Sequence, residues 1–154
     1  MKIHLVAVGR LRRGPEKAMV DDYLDRFAKT GRGLGLPPVT LTEVEPKGAG
    51  MAVEADAIVR VLPPGAVLAI FDERGRAVTS PDFAAQIGEW RDAARDVAFL
   101  IGGADGIDPS LRDRADAAFS LGAMVWPHML VRVMLAEQLY RAASILAGAP
   151  YHRV

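Results

Sequence analysis

Three places in this sequence combine residue types that could do chemistry. The first is the C-terminal run Pro150-Tyr151-His152-Arg153, which sets a phenol, an imidazole and a guanidinium side by side. An imidazole exchanges protons near neutral pH, a guanidinium stabilises an anion, and an aromatic ring stacks on a base. Terminal segments are ordinarily frayed and inert, which is the competing reading. The second place is a set of open stretches: Phe71-Asp72, then Gly102-Gly103-Ala104-Asp105-Gly106, then Leu121-Gly122-Ala123-Met124-Val125-Trp126. Glycine removes the side-chain barrier, so a ligand can approach the backbone closely. The third is Arg132, which falls roughly opposite Arg141 on a helical wheel, inside an apolar arc and one turn after His128. A cation so placed needs a partner. That partner is either a core or interface carboxylate, or an anionic substrate or cofactor.

The elements that must hold these residues alternate along the chain. Residues 2–8 read as a β-branched, nearly all-apolar strand, the kind that lies in mid-sheet with both faces covered. Pro15 suits the first turn of a helix running to about Ala28, with Met19, Tyr23 and Phe27 inward. Residues 39–44 alternate as a half-exposed strand, and 51–62 read as a helix. Residues 66–71 are a third strand, with 73–76 as a turn after it. A helix capped by Ser80-Pro81 runs to about Arg95, 97–101 are a fourth strand, a short helix begins at Asp108-Pro109, and 117–121 are a fifth strand. From about His128 to Gly148 the last helix is apolar around most of its girth, with one polar stripe of Glu137, Gln138, Arg141 and Ser144. Residues 149–154 are a tail. Strands alternating with helices give an α/β fold with a largely parallel sheet, in one domain spanning 1–154. Parallel sheets bind ligands at the carboxyl ends of their strands. The three open stretches all fall there. One glycine-rich turn would be ordinary; three in one half of a sheet point to a shared ligand cleft.

Composition narrows the chemistry. The chain has 154 residues, 51% hydrophobic and 25% charged, which suits a globular protein with a real core. It has no cysteine, so disulfides, thiolate catalysis and Cys-ligated zinc are excluded. No HExxH or HxxxH spacing occurs, and a catalytic metal is not expected. GxGxxG after the first strand, GxxxxGK[ST] and GxSxG are also missing, which disfavours Rossmann dehydrogenases, P-loop ATPases and α/β-hydrolases. The N-terminus lacks the long apolar core of a signal peptide, and no stretch approaches the ~20 apolar residues of a membrane span. A cytoplasmic protein is expected. Nineteen basic residues balance nineteen acidic ones, which argues weakly against an RNA partner. Locally, Arg10, Arg12, Arg13 and Lys17 cluster after the first strand, as a solvated surface or a binding patch.

Taken together, LVAVG near the start, LIGGADG, SLGAMVWPHMLVRVMLAEQLYRAASI and the PYHR ending resemble one family over the full length. It is the small SPOUT-class ribosomal RNA large subunit methyltransferase H family, which methylates N3 of a pseudouridine in 23S ribosomal RNA. The resemblance implies a C-terminal trefoil knot that holds S-adenosyl-L-methionine in a bent shape. It implies cofactor contacts at Phe71, Gly102, Leu121, Gly122, Ala123, Met124, Val125 and Trp126. It also implies a homodimer with the last helix at its interface, acting on the ribosome. Relatives often carry Leu in place of Phe71, and Ser or Thr in the loop that holds Gly122 to Val125 here. The loop is therefore read as binding adenine through backbone groups.

For such a reaction the protein must align nitrogen, methyl and sulfur, exclude water and stabilise an anion as the imide proton leaves. His152 is the candidate proton acceptor, Arg153 the candidate anion or phosphate partner, and Tyr151 the candidate stacking residue. Arg132 and Arg141 are read as interface or tail-anchoring residues. Two other readings stay open: a knotted methyltransferase acting on a small molecule, and a non-enzymatic module binding adenosine nucleotides.

Overall fold

Along the first strand, β1 (Ile3–Val8), Ile3, Leu5 and Ala7 point to one side and Val6 and Val8 to the other, and all five are buried. A strand apolar on both faces belongs inside a sheet. In the computed structural model, which describes residues 1–153, β1 is hydrogen-bonded on both sides. Val154, the end of the tail read as 149–154, lies outside the described residues.

The chain continues through α1 (Pro15–Gly31), a 3-10 turn at Arg32–Leu34, β2 (Val39–Val44), α2 (Met51–Val61), β3 (Val67–Ala77) and α3 (Ser80–Asp92). It ends with β4 (Val97–Ile101), α4 (Pro109–Arg114), β5 (Ala117–Ser120) and α5 (His128–Leu146). The five strands form one parallel sheet in the order β2-β1-β4-β3-β5. One face packs Phe27 of α1, Phe83 and Ile87 of α3, and Leu135 and Leu139 of α5 against Leu5, Ala69 and Phe99. The other packs Ala55 and Ile58 of α2 and Leu111 of α4 against Val6, Ile70 and Leu100. Side chains of this size contribute roughly 1.5–3 kcal/mol each when fully buried. All strands run the same way, so their carboxyl ends share one edge of the sheet.

Five sequence expectations are corrected. Met19, read as facing inward on the first helix, is 45% exposed. The helix expected to end near Ala28 continues to Gly31 and into the 3-10 turn. Residues 73–76, read as a turn, belong to β3: Phe71 and Arg76 both lie opposite Phe119, and the residues between bulge out of the ladder. Gly75 permits this, because a Cβ there would sit 2.6 Å from the Phe119 carbonyl carbon. Ser144, placed on the exposed polar stripe of the last helix, is buried, its hydroxyl donating to the Tyr140 carbonyl at 3.0 Å. The tail is not frayed, for the contacts described below.

β5 is an edge strand, yet α5 begins over β1, three strands away. Residues 121–127 therefore cross above the carboxyl ends of β3 and β4, a span of about 14 Å at the usual strand spacing. Arg132 fixes the landing point. It is 0% exposed, and its guanidinium donates to Glu43 Oε2 at 2.7 Å and to the carbonyls of Val8 at 3.2 Å and Gly9 at 3.0 Å. The carboxylate reading of Arg132 is the correct one. Burial lowers its pKa, and Glu43 opposes that shift, holding the charge.

Candidate functional site

Under the crossing segment lies a cavity of about 800 Å³. Its walls come from the three strand ends singled out in the sequence. Phe71, Gly102, Leu121, Gly122, Met124, Val125 and Trp126 line it; Ala123 does not. Local chemistry shapes each wall. After β5, Ser120 closes a turn: the Gly122 N–H donates to Ser120 Oγ at 3.1 Å, and that hydroxyl donates to the Gly122 carbonyl at 2.9 Å. Gly122 has φ +118°, a conformation that glycine alone adopts readily. Beyond it Met124 and Val125 are 73% and 80% exposed, an unusual state for large apolar side chains.

The glycine loop after β4 folds tightly on itself. The Gly106 N–H donates to the Gly103 carbonyl at 3.1 Å, and a Cβ on Gly102 would lie 2.8 Å from the Gly106 carbonyl oxygen. Glu54, on α2, braces the loop from outside the cavity. A Cβ on Gly103 would sit 2.7 Å from Glu54 Oε1. Burial raises the Glu54 pKa, the Gly103 backbone amide draws it back, Asp105 raises it and His128 lowers it. Sequence reading missed Glu54, because nothing near it in the chain marks it.

Charged groups meet at the far wall. Asp72, with its side chain buried, accepts the Arg74 N–H at 2.8 Å and has the guanidinium groups of Arg74 and Arg112 at 3.6 and 3.9 Å. Arg74, Arg112 and His128 all line the cavity and were not among the sequence candidates. His128 could have been noticed, since it follows the open stretch directly; Arg112 carries no local signal. His128 Nδ1 is buried with no hydrogen-bond partner among the described residues.

The tail lies elsewhere. Tyr151 donates its hydroxyl to Glu137 Oε1 at 2.9 Å, and its ring centroid lies 4.5 Å from that of Tyr140. Arg141 donates to the same Glu137 oxygen through Nη2 at 2.6 Å and Nε at 3.0 Å, and its guanidinium lies 4.8 Å from the Tyr151 ring centroid. Arg141 Nη1 is 3.1 Å from His152 Nδ1. A guanidinium only donates, so Nδ1 accepts and its lone pair is in use here. Burial and the Glu137 hydrogen bond both raise the Tyr151 pKa, keeping the phenol protonated. Arg153 is exposed. Glu137, which holds Tyr151, lies six residues beyond the cavity-lining Val131 on one helix, about 9 Å along its axis, and no tail residue lines the cavity of its own chain. The structure thus gathers the strand-end candidates into one cavity and the three tail candidates into a second cluster, and does not join the two.

Among the described residues no group of three or more His, Cys, Asp or Glu could hold a metal ion. Among the same residues no helix is long and apolar enough to cross a membrane.

A family described as "Predicted SPOUT methyltransferase" matches residues 1–152. A protein of Cereibacter sphaeroides named ribosomal RNA large subunit methyltransferase H is 70% identical to this chain over 155 residues, covering 100% of both. A protein of the same name from Paracoccus denitrificans is 67% identical, covering 99% of both. Among solved structures, a probable methylase family protein from Haemophilus influenzae Rd KW20 superposes with a TM-score of 0.53 at 14% identity, covering 99% of this chain and 70% of that one. At that identity the likeness shows the fold alone.

Proposed function

The chain belongs to the SPOUT methyltransferase family, and from that premise we propose that it methylates the RNA of the large ribosomal subunit with S-adenosyl-L-methionine as donor. The acceptor is N3 of a pseudouridine, and the enzyme is a cytoplasmic homodimer, each copy one SPOUT domain with its C-terminal segment in a trefoil knot. The observation that carries this reading is that seven of the eight expected cofactor residues line one cavity. Its volume suits a ligand of this size. Its walls offer apolar surface and open backbone for a purine, and Asp72 and Arg112 supply one charge of each sign for an amino-acid end.

When bound, the donor supplies a methyl group on a positively charged sulfur, released as the N–C bond forms and the C–S bond breaks. The chain's own residues do the rest. The segment from Leu121 to Trp126 and the Gly102 loop hold the donor and keep water out. The tail supplies His152 as acceptor of the imide proton, Arg153 against the developing anion and Tyr151 as a stacking surface. With Nδ1 accepting from Arg141 the neutral ring carries its proton on Nε2, so for His152 to accept the imide proton Arg141 must release Nδ1. No tail residue lines the cavity of its own chain, and in this reading the tail serves the cavity of a second copy. Exposed Met19 on α1 and Met129 and Leu130 on α5 offer apolar surface for that pairing.

The test incubates the protein with isotopically labelled donor and, separately, unmethylated large ribosomal subunits, free pseudouridine and no acceptor. Label on subunit RNA at one pseudouridine N3 is expected. Label on the free nucleoside alone means a small-molecule enzyme, and donor binding without transfer means a binding module; either overturns the proposal.

A further inference from the structure

The neutral overall charge conceals an uneven distribution. On α1, Lys17, Arg26 and Lys29 each pair with an aspartate one turn away, Asp21, Asp22 and Asp25. In the loop just before that helix, residues 9–14, the arginines Arg10, Arg12 and Arg13 are exposed and have no ion-pair partner among the described residues. Glu43 reaches into this loop, but its Oε2 already accepts the Leu11 N–H at 2.6 Å and Arg132 at 2.7 Å. Glu16, in the first turn of α1, is the carboxylate beside Gly14.

The loop is also held in place. The Gly9 N–H donates to the Val44 carbonyl at 2.8 Å, the Gly9 carbonyl accepts from Arg132, and Leu11 is buried against Val20, Val133 and Ala136. Anchors at Gly9 and Leu11 leave the alternate residues Arg10 and Arg12 to project. Cations on a fixed backbone lose less freedom on binding than cations on a mobile one. The N-terminus of α1, with no side-chain cap, adds its own positive end.

Position gives the surface its meaning. β1 is hydrogen-bonded to β4, so this loop leaves the sheet beside the glycine loop of the cavity. His128 lines that cavity, and its Cε1 would be 3.8 Å from a Cβ on Gly9. We propose that Arg10, Arg12 and Arg13 form the docking surface that seats the RNA phosphate backbone at the rim of the cavity. The guanidinium fork matches phosphate oxygens in pairs. This inference rests on the reading of the chain as an rRNA methyltransferase, and it names the residues that give a protein of zero net charge its hold on a polyanion.

Two charge-matched triple variants of the full chain test it: Arg10→Ala/Arg12→Ala/Arg13→Ala, and Lys17→Ala/Arg26→Ala/Lys29→Ala as the control. Three quantities are read: donor affinity by calorimetry, KM and kcat on unmethylated large subunits from 50 to 200 mM salt, and filter binding to a protein-free rRNA fragment. In the arginine variant, KM on subunits rises roughly ten- to hundredfold and the slope of log KM against log salt falls by about 2–3. RNA-fragment binding weakens in parallel, while donor affinity and saturated kcat stay within about twofold. The control keeps the wild-type slope. Equal slopes in the two variants, or an unchanged KM in the arginine variant, overturn the proposal. So does a loss on subunits but not on protein-free RNA, which would make the partner a ribosomal protein. If the wild-type protein itself labels no RNA, the enzymatic reading has failed, and this shows before any variant is compared.

Discussion

The two ends of α5 are built on opposite principles. At the N-terminal end the chain is open: glycine turns, exposed Met124 and Val125, and a cavity walled largely by backbone and apolar surface. At the C-terminal end nearly every polar group is engaged: one Glu137 oxygen accepts from both Tyr151 and Arg141, and Arg141 reaches on to His152. The open end suits a ligand that must enter and leave. The closed end suits side chains that must be preorganised before a substrate arrives. The two regions are built from different residues, and no tail residue lines the cavity, so each can be altered while the other's residues stay in place.

The largest effect should come from the tail. Deleting residues 151–154 should lower methyl transfer to ribosomes by roughly 10³-fold or more, and His152→Ala alone by roughly 10²–10⁴-fold if it is the proton acceptor. Calorimetric donor affinity should stay within about twofold. Removing Tyr151 also strips a ring and a hydrogen bond from Tyr140 and Glu137, so the truncated chain should melt a few degrees lower, on the order of 1 kcal/mol. Mixing tail-deleted and cavity-damaged copies should restore activity, because one mixed site then has a good cavity from one copy and a good tail from the other. No recovery on confirmed mixing would mean that the tail serves its own chain.

Next in size is Arg132→Met. It strands the carboxylate of Glu43 and the Val8 and Gly9 carbonyls, and should cost about 3–5 kcal/mol in chemical unfolding.

The cavity end is probed by Gly103→Ala and Glu54→Ala. Each should weaken donor binding roughly tenfold, the first by forcing a methyl against Glu54 Oε1, the second by removing the brace. The double variant should bind no worse than the poorer single one, because both act through one contact. Strictly additive losses would show that Glu54 does not brace the loop through Gly103.

The smallest effect is a pH dependence. Burial holds the Glu54 pKa above the ordinary carboxylate value, so the folded state binds this proton more tightly than the unfolded state. The associated stability is present below the unfolded value and is lost as pH rises through the folded one. Melting curves of wild type and Glu54→Gln should therefore change in relative position just above the ordinary Glu range, the wild type losing ground as pH rises. Parallel curves from pH 4 to 7 would contradict the assigned shift.

Much of this molecule is legible from residue order. The apolar runs that become β1, β3 and β4, the Ser80-Pro81 and Asp108-Pro109 helix starts, and the glycine loop after β4 are local patterns, and local patterns are read with periods of two and 3.6 residues. They place the strand ends, and so the cavity. What the tertiary structure alone decided is who meets whom. Arg132 finds Glu43 across 89 residues, Glu54 finds Gly103 across a helix and two strands, and the tail folds back on Glu137 instead of fraying. The strand order that brings the arginine loop beside the cavity is equally invisible in the chain. A buried charge must have a partner, but its identity depends on which distant segments the folded sheet brings within hydrogen-bond reach, and no local period carries that information.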